Sequence, residues 1–164
     1  MSTISSSTPD GMYLARAIGL ATDNVANGGG PFGAVIVTAE GAVFEGVNRV
    51  TASNDPTAHA EVTAIRSACA ALGTFDLTGA VLYTSCEPCP MCLASSLWAR
   101  LDRVVYAADR NDAAAAGFDD AAFYEYFETP LDERSLQVTQ EEPAGARPTE
   151  PFDAWTASAN RIDY

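Results

Sequence analysis

The sequence predicts an α/β protein, a three-layer α/β/α sandwich built on a central mixed sheet. Three observations support this prediction. Apolar residues recur at helical spacing in some segments and form short β-branched runs in others. These segments follow the order helix, hairpin, helix, strand, helix, strand, which is typical of a sheet covered by helices on both faces. The chain has 164 residues, 48% of them hydrophobic, and can therefore bury a core in one domain.

The first predicted elements are a helix and a hairpin. Apolar residues recur at helical spacing from 10 to 27, and the glycine-rich run at 28–31 ends the pattern. Two apolar, β-branched runs at 32–38 and 42–47 flank a turn at 40–41. A turn between two such runs predicts a β-hairpin.

Helices and strands then alternate along the chain. A turn and helix-start signal at residues 54–57 introduces the next helix. Pro88 and Pro90 open a later one, because proline favours the first turn of a helix. We expect a helix over 58–72, a strand over 81–84, a helix from these prolines to about 100, and a strand over 104–108.

The pattern beyond residue 108 is mixed. We expect, in order, an Ala-rich stretch, an aromatic acidic segment, a strand, a Pro-rich linker and a short last helix, over 113–116, 118–127, 136–138, 143–151 and 151–162. No internal repeat and no second domain is evident in the sequence. We therefore predict a single domain over 1–164. Its C-terminal segment, 152–164, follows a linker and could dock on a partner subunit.

Composition limits the partners that we expect. The net charge is −13, and all nine basic residues are arginines. A surface this acidic repels phosphate backbones, so we expect a small substrate and no nucleic acid. Uncharged apolar runs such as 33–39 are too short to cross a membrane. The first ten residues lack the basic region and apolar core of a signal peptide, and we therefore expect a cytoplasmic location.

The cysteines and the histidine carry the strongest chemical signal. Cys86, Cys89 and Cys92 crowd into seven residues, which favours metal or thiol chemistry over a disulfide framework. Cys89 and Cys92 are three residues apart at a predicted helix start, where their thiols share one face and thiolates are stabilised. His59, the only histidine in the sequence, lies near another helix start. Two thiolates and one imidazole suit zinc and leave a fourth position for water.

Glu61 is two residues from His59, close enough to reach that water without binding the metal. Water in such a position ionises with a pKa of about 7. We expect Glu61 to take its proton, pass it to a ring nitrogen and later deliver a proton to the departing ammonia. The pattern therefore predicts a hydrolytic deaminase with one zinc ion per subunit.

Other interpretations stay open at this point. A lone Cys-x-x-Cys pair also occurs in redox pairs and in structural zinc sites, and Cys86 could complete a Cys3His set. His59 could be a buried histidine bonded to the backbone. The protein could also be a zinc module that binds a partner without catalysis. We expect Cys86 and Cys69 to be buried apolar thiols outside the site.

The motifs resemble those of a known family. The signature H-x-E and P-C-x-x-C of zinc nucleobase deaminases is present as H-A-E at 59–61 and P-C-P-M-C at 88–92. With the wider stretches 53–61, 83–92 and 116–120, these motifs resemble the bacterial guanine deaminases of the cytidine deaminase-like fold. The resemblance runs from about residue 10 to the C-terminus. It implies zinc-dependent hydrolysis of guanine to xanthine and ammonia.

The resemblance also implies a set of substrate contacts. They would be Phe32, Asn48, the backbone N–H of Ala60, Trp98, Asp120 and Tyr164. Phe32 would stack on the purine, and Asp120 and Tyr164 would recognise its far edge. The family further implies a homodimer in which segment 152–164 is swapped to cap the neighbour's site. From the residues alone, Phe32 and Trp98 could be core aromatics, Asn48 a turn residue and Asp120 a solvated one.

Two departures from the family pattern affect the substrate. Arg110-Asn111 replaces a more usual acidic or His-Thr pair, and 140–150 is longer and richer in proline. Since that linker sets where Tyr164 lies, the same chemistry on cytosine, cytidine, guanosine or an ammeline-type triazine stays open. A tRNA adenosine deaminase shares both zinc motifs, but the net charge of −13 disfavours it.

Overall fold

The computed structural model describes residues 8–118 and 120–164. The chain forms two compact units, the N-terminal unit (Met1–Glu125) and the C-terminal unit (Tyr126–Tyr164). Two parts of the sequence lie outside the described residues: 1–7, which belong to the stretch considered for a signal peptide, and Asp119, which belongs to the stretch 116–120. The single domain over 1–164 and the exchange of segment 152–164 stay predictions.

The N-terminal unit carries most of the regular structure. Its elements are α1 (Pro9–Ala26), β1 (Gly33–Val37), β2 (Val43–Val47), α2 (Val50–Ser53), α3 (Ala60–Leu72), β3 (Val81–Cys86), α4 (Pro90–Trp98), β4 (Arg103–Ala108) and α5 (Arg110–Ala115). Helix α6 (Ala121–Glu128) continues past the boundary between the units. The C-terminal unit contains a 3-10 turn (Leu131–Glu133) and helix α7 (Glu150–Ala157).

The four strands form one mixed sheet in the order β2-β1-β3-β4. Strand β1 is antiparallel to both β2 and β3, and β3 is parallel to β4. The hairpin predicted from the two β-branched runs is confirmed, and Gly41 makes its turn with a positive φ of 84°. The parallel pairing aligns Cys86 with Ala108, so that the ends of β3 and β4 lie side by side.

Helices cover both faces of this sheet. Alternate strand residues point to opposite faces, and on one face Ala34, Ile36 and Leu82 pack with the alanines of α3. On the other face Val35 and Tyr83 pack with α1 around Ala17. The predicted α/β/α layering around a mixed sheet is therefore confirmed in the N-terminal unit.

Helix α3 lies unusually close to strand β2 at Gly46. A Cβ atom at this glycine would lie 2.4 Å from both the carbonyl oxygen of Ala60 and the amide nitrogen of Ala64. Both alanines are fully buried. The missing side chain therefore sets the spacing between β2 and the first turn of α3.

We expect Gly46→Ala to destabilise the protein by about 1–3 kcal/mol. The added methyl group would overlap backbone atoms of α3, and the helix would have to shift away from β2 to make room. Gly19→Ala is the matched control, since nothing lies within 4 Å of a Cβ at that helical position. Alanine there should stabilise the protein by up to about 1 kcal/mol. Urea unfolding of both variants measures the difference. Equal unfolding free energies for the two variants would contradict the close packing.

The structure departs from the sequence-based expectation mainly beyond β4. The strand expected at 136–138 is wrong, since among the described residues no β-pairing involves this segment. Leu136 and Val138 are 67% and 70% exposed, and a short apolar alternation forms a strand only where a neighbouring strand pairs with it. The last helix ends at Ala157 rather than near 162 because Ser158 adopts an extended conformation. No helix in the described part of the chain is long and apolar enough to span a bilayer.

Candidate active site

Two helix starts meet beyond the ends of the strands. His59 is the N-cap residue of α3, and Cys89 is the N-cap residue of α4, which begins at Pro90. By contrast, Asp109 caps α5 through its own carboxylate. Of the described helices, α3 and α4 thus have N-cap side chains that turn towards each other instead of bonding their own first turn.

His59, Cys89 and Cys92 form the one group of donors in the described chain that could hold a metal ion. The Cys89 and Cys92 sulfurs are 3.7 Å apart, and they lie 3.7 and 3.5 Å from Nδ1 of His59. Tetrahedral zinc with ordinary bond lengths requires about 3.8 Å between two sulfurs and about 3.5 Å between sulfur and nitrogen. The triangle of donor atoms therefore fits zinc.

The three donors also influence one another's protonation. Hydrogen bonding with Cys92, and then with His59, lowers the pKa of Cys89 to about 4. The same interaction raises the pKa of the Cys92 thiol, and the Cys89 sulfur raises that of His59. A thiolate is thus already favoured at Cys89, which is the form that binds metal.

Glu61 lies beside these donors in the first turn of α3. It is 6% exposed, and its carboxylate accepts a hydrogen bond of 3.4 Å from Thr84 Oγ1. Burial raises the pKa of this carboxyl. A buried carboxyl group whose pKa is raised towards neutrality is suited to carry a proton back and forth.

A cavity of about 600 Å³ opens beside the donor group. Of the residues assigned to the site by the sequence, it is lined by Phe32, Asn48, His59, Glu61, Cys89 and Asp120. Residues far apart in the chain are therefore brought to one cavity, as the resemblance implied. Their contacts with a substrate stay predictions.

Asn48 serves the turn as well as the cavity. Its Oδ1 accepts a hydrogen bond of 3.2 Å from the Val50 N–H, and it is 9% exposed. Asn24, which sequence analysis missed, donates from Nδ2 to the carbonyl oxygens of both Gly30 and Asn48. An asparagine inside helix α1 is the only signal that could have drawn attention to it, because asparagine is a poor helix former.

Trp98 and Tyr164 lie elsewhere in the structure. Trp98 ends helix α4, is 62% exposed and lies outside the cavity lining. Tyr164 belongs to the C-terminal unit, where its ring packs against Trp155 with centroids 6.3 Å apart. Ala60 is buried at the first position of α3. The substrate contacts expected of these three residues stay predictions.

Cys86 is not one of the donors. Its thiol lies 3.6 Å from the Asp109 carbonyl oxygen, and burial raises its pKa to about 11. Within the described chain the geometry thus gives a three-donor group rather than the alternative Cys3His set. Cys69 is half-buried against the core, as expected.

Phe118 and Glu87 also lie against the site, although sequence analysis assigned them no role beyond their place in the stretches 116–120 and 83–92. Phe118 lines the cavity and meets Phe32 edge to face, with ring centroids 4.9 Å apart and an angle of 82°. Glu87 lines it too, and Arg110 Nη2 donates a hydrogen bond of 2.6 Å to Glu87 Oε1. Neither pairing has a sequence signal, because each joins residues that only the fold brings together.

Comparison with known proteins gives concordant results. Residues 7–108 match the family described as the cytidine and deoxycytidylate deaminase zinc-binding region. The chain is 53% identical over 156 residues to guanine deaminase of Bacillus subtilis, covering 93% of this chain and 97% of that one. The X-ray structure of the B. subtilis guanine deaminase superposes with a TM-score of 0.87 at 52% identity, with the same coverage. A structure of guanine deaminase from Nitrosomonas europaea superposes with a TM-score of 0.64 at 33% identity, covering 70% of this chain and 66% of that one.

Proposed function

The chain belongs to the cytidine and deoxycytidylate deaminase zinc-binding family, and within it to the guanine deaminases, and on that premise we propose that it hydrolyses guanine to xanthine and ammonia. The observation that carries the proposal is the zinc-sized triangle of His59, Cys89 and Cys92 with the buried Glu61 beside it at one cavity. The enzyme is thus a zinc-dependent deaminase, and guanine is the proposed substrate.

In this reaction the metal would activate water and Glu61 would transfer the protons. Zinc held by the three donors would acidify a water molecule, with a pKa of about 7 in favourable sites. Glu61 takes a proton from the attacking water and delivers it to a ring nitrogen, which makes the amine-bearing carbon electrophilic. The water oxygen then bonds to that carbon. Glu61 takes the second proton from the hydroxyl group so formed and gives it to the amino group, and ammonia leaves as the carbon–nitrogen bond breaks. Guanine and water are consumed, and xanthine and ammonia are formed.

The cavity supplies groups suited to a purine. Phe32 offers an apolar ring for stacking, and Asn48 and the Ala60 backbone N–H offer hydrogen bonds to the base. Asp120 offers a carboxylate that can accept from N–H groups on its far edge. The support for these roles is that Phe32, Asn48 and Asp120 line the same cavity as Glu61.

The exposed C-terminal segment bears on the quaternary arrangement. We infer a homodimer with one zinc ion per subunit, in which segment 152–164 caps the partner's site and brings Tyr164 near the substrate. Trp98 stays a proposed aromatic contact near the pocket. Phe152 and Ile162, at the two ends of this segment, are 71% and 66% exposed, which suits a surface that packs against another chain. The cytoplasmic location expected from the sequence stays a prediction.

A panel of substrates tests the proposed function. We expect ammonia release from guanine to exceed that from cytosine, cytidine, guanosine and ammeline by at least about a hundredfold in kcat/KM, since polar groups left unpaired in a buried site discriminate strongly. Zinc-loaded enzyme is assayed with each compound under the same conditions. Inert guanine beside a reacting cytosine or triazine would overturn the substrate assignment and leave the deaminase chemistry in place.

A further inference from the structure

Glu87 is fixed to the junction between β4 and α5. Its carboxylate accepts three hydrogen bonds from Arg110: from the backbone N–H at 3.0 Å, from Nε at 3.1 Å and from Nη2 at 2.6 Å. Its own backbone N–H donates to the Ala108 carbonyl oxygen at 2.8 Å. Two residues further on the chain reaches Cys89, so this attachment holds the start of the loop that supplies a zinc donor.

The same arginine also contacts helix α6. Its guanidinium lies over the ring of Tyr124, with 3.7 Å between the guanidinium carbon and the ring centroid. The Tyr124 hydroxyl donates a hydrogen bond of 2.7 Å to the carbonyl oxygen of Pro88. Arg110 and Tyr124 therefore hold consecutive residues of the loop that leads to Cys89.

Tyr124 belongs to a segment that lines the site. Helix α6 begins at Ala121, and both Asp120 and Phe123 line the cavity. One guanidinium thus joins the loop of the zinc donors to the segment proposed to recognise the substrate. A bidentate arginine contact is stiff and directional, which a lysine ammonium cannot reproduce.

We propose that Arg110 is a positioning residue of the active site, which holds the zinc-donor loop 87–89 and the lining segment 120–124 in one fixed arrangement. The proposal deepens the proposed function and rests on it for the identity of the substrate alone. The Glu87 side chain is only 16% exposed, and it would lose the three hydrogen bonds that it accepts from Arg110 if Arg110 moved. Its carboxylate would then face the same cavity as Glu61 and Asp120.

The test removes the guanidinium and keeps the aliphatic stem. Arg110→Met is compared with Arg16→Met, because Arg16 makes an equivalent two-bond contact of 2.6 and 2.8 Å with Glu45 on α1 and β2, away from the cavity. Zinc affinity is measured by competition with a chromophoric chelator, and the cobalt-substituted proteins are compared by their visible absorption bands. Kinetics on guanine separate kcat from KM.

For Arg110→Met we expect about a tenfold loss of zinc affinity, altered cobalt bands and about a tenfold loss of kcat/KM, the range found for residues that support metal ligands. Arg16→Met should keep all three within about twofold of the unsubstituted protein, and Arg110→Lys should not restore the cobalt bands. The proposal is overturned if Arg110→Met keeps its zinc affinity, cobalt bands and kcat/KM within twofold of the unsubstituted protein. A variant in which only the unfolding temperature is lowered overturns it too.

The experiment also covers a folding failure of Arg110→Met and a lack of activity on guanine. Should Arg110→Met fail to fold, Arg110→Lys and Arg16→Lys are compared by the same measures and read in the same way. The zinc and cobalt measurements need no substrate. Inactivity of the unsubstituted protein on guanine would therefore overturn the proposed substrate, while Arg110 would still be judged by zinc affinity and the cobalt bands.

Discussion

Replacing Glu61 with glutamine is expected to lower the rate of ammonia release by about a hundredfold to ten-thousandfold, the contribution typical of a positioned acid–base group. Glutamine keeps the size of the side chain and can still bond Thr84, whose Oγ1 lies 3.4 Å from the carboxylate. It cannot accept and return a proton. Since Glu61 is not among the three donors, bound zinc should stay at the unsubstituted level.

The measurement pairs ammonia release with zinc content per chain. Glu45→Gln is the control, because Glu45 pairs with Arg16 outside the cavity and should leave both quantities unchanged. Loss of zinc from Glu61→Gln would make Glu61 a ligand, contrary to its proposed role. Retention of most activity would show that another group moves the proton.

Replacing Cys92 with alanine is expected to remove both zinc and activity. Cys92 is fully buried, and its sulfur lies within 3.7 Å of both other donors. Four-ligand zinc sites bind with about 10–16 kcal/mol in total, so the loss of one ligand corresponds to about 3 kcal/mol or more, a hundredfold or greater loss of affinity. Ammonia release should fall to background at zinc concentrations that saturate the unsubstituted protein.

Cys86→Ala is the matched control for this prediction. Cys86 is also buried and lies only six residues earlier in the chain, but its thiol is directed to the Asp109 carbonyl. We expect it to keep its zinc and its activity, with a modest loss of unfolding free energy. Zinc loss from Cys86→Ala comparable to that from Cys92→Ala would support the Cys3His site instead.

The group of three donors could be predicted from sequence because its residues come from short local patterns. Cys89 and Cys92 share one face at the start of α4 because of their spacing alone. His59 and Glu61 form the second short motif, at the start of α3. The hairpin and helices α1, α3 and α4 followed from periodicity and turn residues for the same reason. Local spacing fixes local geometry.

The supporting contacts were not predictable, because they depend on strand pairing and helix docking. Arg110 reaches Glu87, 23 residues earlier, only because β3 and β4 are parallel with Cys86 opposite Ala108. Asn24 reaches Asn48 only because α1 packs on the sheet. The strand expected at 136–138 failed for the converse reason, since its alternation found no strand to pair with.

The use of His59 and Cys89 as N-cap residues has a consequence for evolution. Serine, threonine, asparagine or aspartate at an N-cap stabilises a helix by about 0.5–2 kcal/mol relative to residues that do not cap. Helices α3 and α4 lack this contribution because their N-cap side chains face the metal site. Selection for thermal stability alone would therefore favour replacing these two residues. A lineage that no longer needs catalysis should lose them early and gain free energy of unfolding.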